Sequence, residues 1–207
     1  MVATPSTKRV RRSKWTKIIL GFMVGLLFTV LALWWFEKKS FVIENFDSKG
    51  DTAAILEICD KNWYWLVANV EKEDYSLQDP DIIEIRNDTI FMFKHQTPDQ
   101  NPQNFGKMKI KVLRDGGKLA GFVTYYKMNF FRGKLLFLGV SSDFRGKGYG
   151  TVLVNYAVND MFKNMGLSIV ELDTRTNNVR ARGLYKKLGF IGTPLEEGFI
   201  RYTKYKK

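Results

Sequence analysis

The 207-residue chain opens with a polar, basic stretch and passes into an apolar run at residues 18–36 (IILGFMVGLLFTVLALWWF). From residue 41 it settles into short segments of period two or period three to four. The run carries no charge over its nineteen residues, and Trp15, Trp34 and Trp35 flank it. At about 1.5 Å rise per residue a helix of that length spans roughly 28 Å, close to the hydrocarbon core of a bilayer. It has no polar face and no small-residue cleavage site after it, so it reads as an uncleaved membrane anchor rather than a core helix or a signal peptide.

The remainder predicts one mixed α/β (α+β) domain. Residues 41–46 (FVIENF) form a first strand and 47–50 a turn. Asp51 or Thr52 then caps a helix whose apolar positions Ile55, Ile58, Cys59, Trp65 and Leu66 recur at helical spacing. Residues 82–93, rich in Ile and Phe around Asn87-Asp88, are expected to hold one or two strands, and 95–106, with Pro98 and Pro102, an exposed loop. Residues 108–113 alternate, Asp115-Gly116-Gly117-Lys118 forms a hairpin turn, and 119–128 is the returning strand. A turn at Arg132-Gly133-Lys134 leads into 135–140, an apolar strand of the kind found inside a sheet. A helix carrying Leu153, Tyr156, Ala157 and Met161 follows, closed by Gly166. Then come a strand at 168–173, a helix with Asn178 as its cap and Ala181, Leu184, Tyr185 and Leu188 on one face, and terminal strands near 191 and at 199–205.

Charge changes this picture in one respect. The net charge is +12, but residues 1–40 hold eight Lys or Arg and only Glu37 against them, while the remaining 25 basic and 20 acidic residues give the body +5. The basic excess therefore belongs mostly to a tail at 1–17, and nucleic acid is not an expected partner. The tail places the N-terminus on the cytoplasmic side of a bilayer and the domain at 41–207 on the other. One cysteine, Cys59, and one histidine, His95, exclude a disulfide framework, a Cys-based zinc site and a Ser-His-Asp triad. Cys59 sits on a helical apolar stripe and reads as an inert buried thiol.

Candidate chemistry gathers after the apolar strand. Val140 leads through Ser141-Ser142-Asp143-Phe144 into Arg145-Gly146-Lys147-Gly148-Tyr149-Gly150 and directly into a helix. A strand, a glycine-rich turn and a helix N-terminus aim several backbone N–H groups at one point, and Arg145 and Lys147 add positive charge. Glycines there permit close approach and positive φ. The spacing fits neither a dinucleotide-binding fingerprint nor a Walker motif. On its own the turn is compatible with a bound phosphate or with a simple connection.

A second motif follows about thirty residues downstream: Asn178-x-x-Ala181-x-x-Leu184-Tyr185-x-x-x-Gly189-Phe190. Together with Val140 and Arg145-x-x-Gly148-x-Gly150 it resembles the two signature motifs of the GNAT N-acetyltransferase superfamily. Specific motif residues fall between 135 and 190, and element order agrees from about 41 to 207; the apolar run lies outside that common core. The resemblance implies acetyl-CoA as co-substrate and a primary amine as acceptor, with no metal. It implies that the amides of Arg145, Gly146, Lys147, Gly148, Tyr149 and Gly150 hold the pyrophosphate, and that Leu138 and Val140 pair with the pantetheine arm where their strand splays from the next. The amide at or beside Val140 would face the thioester oxygen, Asn178 would contact the pantetheine, and Tyr185 would stand near the sulfur as the acid.

An amine attacks only when neutral, so a proton has to be removed. The strand at 135–140 has no carboxylate. Glu171 on the following strand is the first candidate for the base, beside ordered water. That missing carboxylate also leaves open a non-catalytic, membrane-tethered acyl-CoA-binding module. Acetyl-CoA is generally cytosolic, whereas the tail's charge places the domain on the opposite face, so the two expectations conflict.

Overall fold

The computed structural model describes residues 41–98, 107–196 and 198–207, together with Met23, Gly25 and Thr29. The chain divides into two units, Met1–Ser40 and Phe41–Lys207. In the first, Met23, Gly25 and Thr29 are helical; the expected span at 18–36 and the basic tail at 1–17 otherwise lie outside the described residues. Among the described residues no helix is long and apolar enough to cross a membrane.

The second unit begins with strand β1 (Phe41–Asn45) and helix α1 (Thr52–Asp60). Asp51 stands at the N-cap, but its carboxylate turns back to accept from the Asp47 N–H at 2.9 Å and from Arg114 at 2.5 Å. The expected helix through Trp65 is broken. Asn62 Nδ2 donates to the Ile58 carbonyl at 2.6 Å, a side-chain bond that competes with the helical ladder, and a separate short turn, α2 (Trp63–Leu66), follows. The break rotates the aromatic positions, so Trp63 rather than Trp65 enters the core, fully buried.

Residues 82–93 are not strands. They belong to α3 (Pro80–His95), which begins with Asp79 and Pro80 and ends at Gln96 in the left-handed conformation. Pro at the first helical position supplies a fixed φ where no N–H is needed. Ile82, Thr89 and Phe93 are buried and Ile85 is half-buried, a three-to-four spacing that the β-branched composition disguised.

The sheet then forms from β2 (Lys109–Asp115), β3 (Lys118–Lys127) and β4 (Arg132–Val140), followed by α4 (Tyr149–Lys163), β5 (Ile169–Arg175), α5 (Val179–Lys187), β6 (Ile191–Pro194) and β7 (Phe199–Tyr205). Gly116 (φ 59°) and Gly117 (φ 78°) give the β2–β3 hairpin the two left-handed residues of a primed turn. The next turn precedes its expected place. Asn129 Oδ1 accepts from the N–H groups of Phe131 and Arg132, so β4 already starts at Arg132.

The seven strands lie in the order β1-β2-β3-β4-β5-β7-β6, antiparallel except for β4 against β5. Two apolar layers cover the two faces of this mixed sheet. One packs Leu153, Ala157 and Met161 of α4 and Tyr185 of α5 against Val123, Leu172 and Tyr202. The other packs Ile55, Cys59, Trp63 and Phe93 against Phe122 and Phe137. Burial raises the pKa of the Cys59 thiol far above its ordinary value, with Asp60 adding to the shift, so it stays protonated. Both layers close within residues 41–207.

Candidate coenzyme and acceptor cleft

Strands β4 and β5 are joined over only three residue pairs, Arg132↔Ile169, Gly133↔Val170 and Lys134↔Glu171. Two residues beyond the last pair, β4 carries one extra residue, Leu136, between the partners of Thr124 and Tyr125 on β3. Such a bulge bends the strand and increases its twist, and it falls where β4 leaves β5. Between the diverging strands lies a cleft of about 650 Å³, walled by Leu138 and Val140 on one side and by Leu172 and Thr174 on the other.

The backbone of β4 is prepared for a ligand there. The Phe137 N–H donates to Thr124 Oγ1 and the Ser141 N–H to the Ala120 carbonyl, both toward β3. Amides alternate in direction along a strand, so those of Leu138 and Val140 point into the opening.

Above this edge a short 3₁₀ turn (Ser142–Phe144) delivers the glycine segment. Gly146 (φ 82°) and Gly148 (φ 84°) are left-handed, and a Cβ built on either would have no atom within 4 Å. Their glycine identity serves backbone conformation, not space in this structure. Gly150 is helical and faces Leu184. Helix α4 starts at Tyr149, and its first bond runs from the Val152 N–H to the Gly148 carbonyl. No N–H from 146 to 151 has a partner among the described residues. Six adjacent donors at a helix N-terminus form a concave anion site.

The basic side chains of the turn do not all face that site. Lys147 is absent from the cleft lining; its Nζ lies 3.0 Å from Asp115 Oδ2 and 4.8 Å from the Phe144 ring centroid. The expectation of a side-chain contribution from Lys147 is therefore corrected, and only its amide remains available. Tyr149 Oη also donates to Asp115 Oδ2, at 2.6 Å, and burial together with that carboxylate pushes the phenol up to about 12. Arg145 lines the cleft, and its Nη2 donates to Asn62 Oδ1 at 2.9 Å. Asp115 was legible only as a hairpin residue, and nothing in the local sequence signals that it fastens the turn.

From the other wall come Asn178 and Tyr185. Asn178 Oδ1 caps α5 by accepting from the Ala181 N–H at 3.1 Å, and the residue lines the cleft. Tyr185 is buried with ring contacts to Phe190 (5.9 Å) and Tyr202 (5.5 Å), and its hydroxyl has no partner among the described residues. Burial raises its pKa well above the ordinary phenol, so the group is a proton donor at neutral pH.

Glu171 lies elsewhere. It is in the zipped part of the β4–β5 pair, 5% exposed, with Oε1 2.5 Å from Arg132 Nη1, and it does not line the cleft. Side chains alternate along β5, but the strands separate only beyond Glu171, which is why the position fails. Asp173 does line the cleft, yet it is held by Lys134 at 2.7 Å and Arg201 at 2.8 Å. Burial opposes its ionisation, but those two cations outweigh burial and hold the carboxyl below its usual range. No other carboxylate lines the cleft among the described residues. Sequence reasoning also missed Asn62, Leu66 and Asn177 as lining residues, and helical spacing put Trp65 on the core stripe although it lines the cleft.

A family model described as the acetyltransferase (GNAT) family matches residues 64–190. Two uncharacterized N-acetyltransferases of Methanocaldococcus jannaschii are similar over shorter stretches. One is 42% identical over 65 residues, 31% of this chain and 28% of the relative; the other is 30% identical over 79 residues, 38% and 50% respectively. The chain thus matches half or less of those relatives' lengths. Among solved structures, the PaiA N-acetyltransferase of Thermoplasma acidophilum in complex with coenzyme A superposes with a TM-score of 0.61 at 18% identity, covering 81% of this chain and 99% of that one. An acetyltransferase of Streptococcus agalactiae gives 0.60 at 15% identity with the same coverage. A spermidine N-acetyltransferase of Vibrio cholerae gives 0.56 at 19%, covering 80% and 93%. These solved structures share the fold, and the family model spans more than half of the chain: the chain belongs to the acetyltransferase (GNAT) family.

Proposed function

We propose that this protein transfers an acetyl group from acetyl-CoA to a primary amine by direct attack on the thioester. The observation that carries the reading is the run of free N–H groups at 146–151, set at the end of a strand whose outward amides line a cleft. That arrangement fits a pyrophosphate followed by an extended, amide-bearing arm.

When bound, acetyl-CoA supplies the electrophile: the amine nitrogen bonds to the acetyl carbon as the carbon–sulfur bond breaks. The amides of Gly146, Gly148, Tyr149 and Gly150, with that of Lys147, hold the pyrophosphate, and Arg145 contributes charge beside it. Leu138 and Val140 pair their backbone with the pantetheine, and Asn178 contacts it from the opposite wall. The Val140 N–H meets the charge that develops on the carbonyl oxygen, an interaction worth about 3 kcal/mol in comparable sites. Tyr185 Oη, kept protonated by burial, gives its proton to the departing sulfur. Glu171 and Asp173 are both occupied by cations, so the amine loses its proton to solvent rather than to a side chain of the cleft.

The membrane attachment is part of the same proposal. The uncharged run at 18–36, flanked by Trp15, Trp34 and Trp35, supports a single-pass anchor, and six Lys or Arg ahead of it support a cytoplasmic N-terminus. Protease protection of a C-terminal tag in intact membranes tests the orientation: digestion before permeabilisation assigns the domain to the exposed face, and digestion only afterwards to the other. The activity is tested by free-thiol release from acetyl-CoA over a panel of primary amines with the purified full-length chain. Amine-dependent thiol release is expected; coenzyme binding without it would support a non-catalytic binding module.

A further inference from the structure

One boundary of the cleft is the segment 62–70, which carries Asn62, Trp65 and Leu66 into the lining. Trp63 and Val70 are buried in the core near its two ends, but the backbone between them has little of its own to fix it. It holds a single four-residue helical turn, α2, and the loop after it is partly exposed. What fixes it is Arg175, at the last position of β5. Its Nε donates to the Tyr64 carbonyl at 2.6 Å, and its Nη2 faces the carbonyls of Val67 (3.1 Å), Ala68 (2.9 Å) and Val70 (2.6 Å). The guanidinium carbon lies 4.2 Å from the Tyr64 ring centroid and 5.0 Å from that of Phe199. No carboxylate among the described residues pairs with it. Two residues on, Asn177 Nδ2 donates to Tyr64 Oη at 2.7 Å. Tyr64 is thus held by its carbonyl, its ring and its hydroxyl, all from the turn that ends β5.

This clamp bridges two elements with no strand pairing between them, across the side where β4 and β5 have separated. A planar fork with several fixed donors can collect carbonyls at different heights, which a single ammonium cannot. Arg175 itself does not line the cleft, so it touches neither reactant. We infer that Arg175 is a positioning residue for the acceptor amine: by holding 64–70 to the end of β5 it sets Trp65 and Leu66 against the incoming nucleophile. Arg175 makes no bond to the coenzyme turn, which is fastened by Asp115 and, through Arg145, by Asn62 ahead of the clamped stretch.

The inference rests on the transferase reading, and its test keeps the two apart. Steady-state kinetics are measured on the purified full-length chain with each substrate varied in turn, alongside direct titration with acetyl-CoA. In Arg175→Ala the KM for the amine should rise roughly tenfold, a loss typical of displaced positioning groups, while acetyl-CoA affinity changes by less than about twofold. Arg175→Lys should recover only part of the loss. Asn177→Ala removes one bond to Tyr64 and should move the amine KM the same way by a smaller factor; it carries the test if Arg175→Ala does not fold. In a Trp65→Ala background, Arg175→Ala should add little, because both act through one wall. Equal shifts for both substrates, additive effects with Trp65→Ala, or an unchanged amine KM in Asn177→Ala would overturn the assignment. Absence of amine-dependent thiol release in the wild type would instead overturn the transferase reading beneath it.

Discussion

The hydroxyl of Tyr149, on the first residue of α4, donates a 2.6 Å hydrogen bond to Asp115 in the β2–β3 hairpin. Lys147 shares that same carboxylate oxygen at 3.0 Å, so the hairpin fastens the glycine turn from behind. The carboxylate stays ionised because the hydrogen bonds from Tyr149 and Lys147 hold it below its usual range. Asp115→Asn should therefore loosen the turn without touching the coenzyme. Titration should show acetyl-CoA binding weakened by about tenfold, the scale of one lost charge-assisted contact. Tyr149→Phe should follow in the same direction. Unchanged affinity in both would mean that the turn holds its shape unaided.

Tyr185→Phe removes the proton donor and keeps the ring packing against Phe190 and Tyr202. The expected result is a fall in kcat of about a hundredfold, with acetyl-CoA affinity retained. Turnover at the wild-type rate would exclude the phenol from the chemistry.

With Asp173 of the cleft engaged by cations and Glu171 outside it, kcat/KM should rise with pH along the acceptor's own deprotonation and level off only near the pKa of the amine. Changing to an amine of lower pKa should move the plateau by the same interval. A plateau fixed near pH 7 for every amine would reveal a base within the enzyme.

Asp173 links stability to pH. Lys134 and Arg201 outweigh the cost of burial and depress its folded pKa, so its contribution is complete above the unfolded carboxylate value and disappears as pH falls through the folded one. Asp173→Asn should cost about 2 kcal/mol at pH 7, the worth of hydrogen bonds to a charged group, and nearly nothing at an acid pH below the folded value. Chemical denaturation at the two pH values measures the difference.

The two tryptophans on either side of the α1–α2 break should separate stability from function. Trp63 is fully buried with its Nε1 donating to Asp60 at 3.1 Å, so Trp63→Ala should lose about 3–5 kcal/mol of stability. Trp65 lines the cleft, and Trp65→Ala should raise the amine KM with a smaller change in stability.

Much of this pair of roles could not be read from the sequence, and the reason is physical. Helical spacing alone placed Trp65 in the core; the bond from Asn62 Nδ2 to the Ile58 carbonyl shifted the phase by ending α1 early. The stretch at 82–93 looked like strands because Ile, Thr and Phe favour pleated surfaces, yet tertiary contact along Ile82, Thr89 and Phe93 makes it α3. Local chemistry was legible where it was encoded locally: the Gly116-Gly117 hairpin, the Asn178 cap, and the strand–glycine–helix order around Gly148. The role of Tyr185 came from the family resemblance, since its apolar helix face alone reads as core. Long-range placement was not encoded there. Glu171 and Asp173 alternate in step along β5, but whether either reaches the cleft depends on where the bulge at Leu136 parts the strands. Asp115 and Arg175 act over 34 and more than 100 residues, and no short window connects them to the site.

The most direct test is calorimetric titration of acetyl-CoA into the purified full-length wild type and into Gly148→Glu. Gly148 holds φ 84° at the centre of the six free donors, so a carboxylate side chain there both strains the turn and repels a pyrophosphate. The expected result is saturable one-to-one binding in the wild type and none in Gly148→Glu, with cooperative unfolding preserved in the variant. No binding by the wild type at about 1 mM coenzyme, the upper end of ordinary substrate affinities, or equal binding by both proteins, would contradict the assignment of the 145–150 segment as the coenzyme's phosphate site.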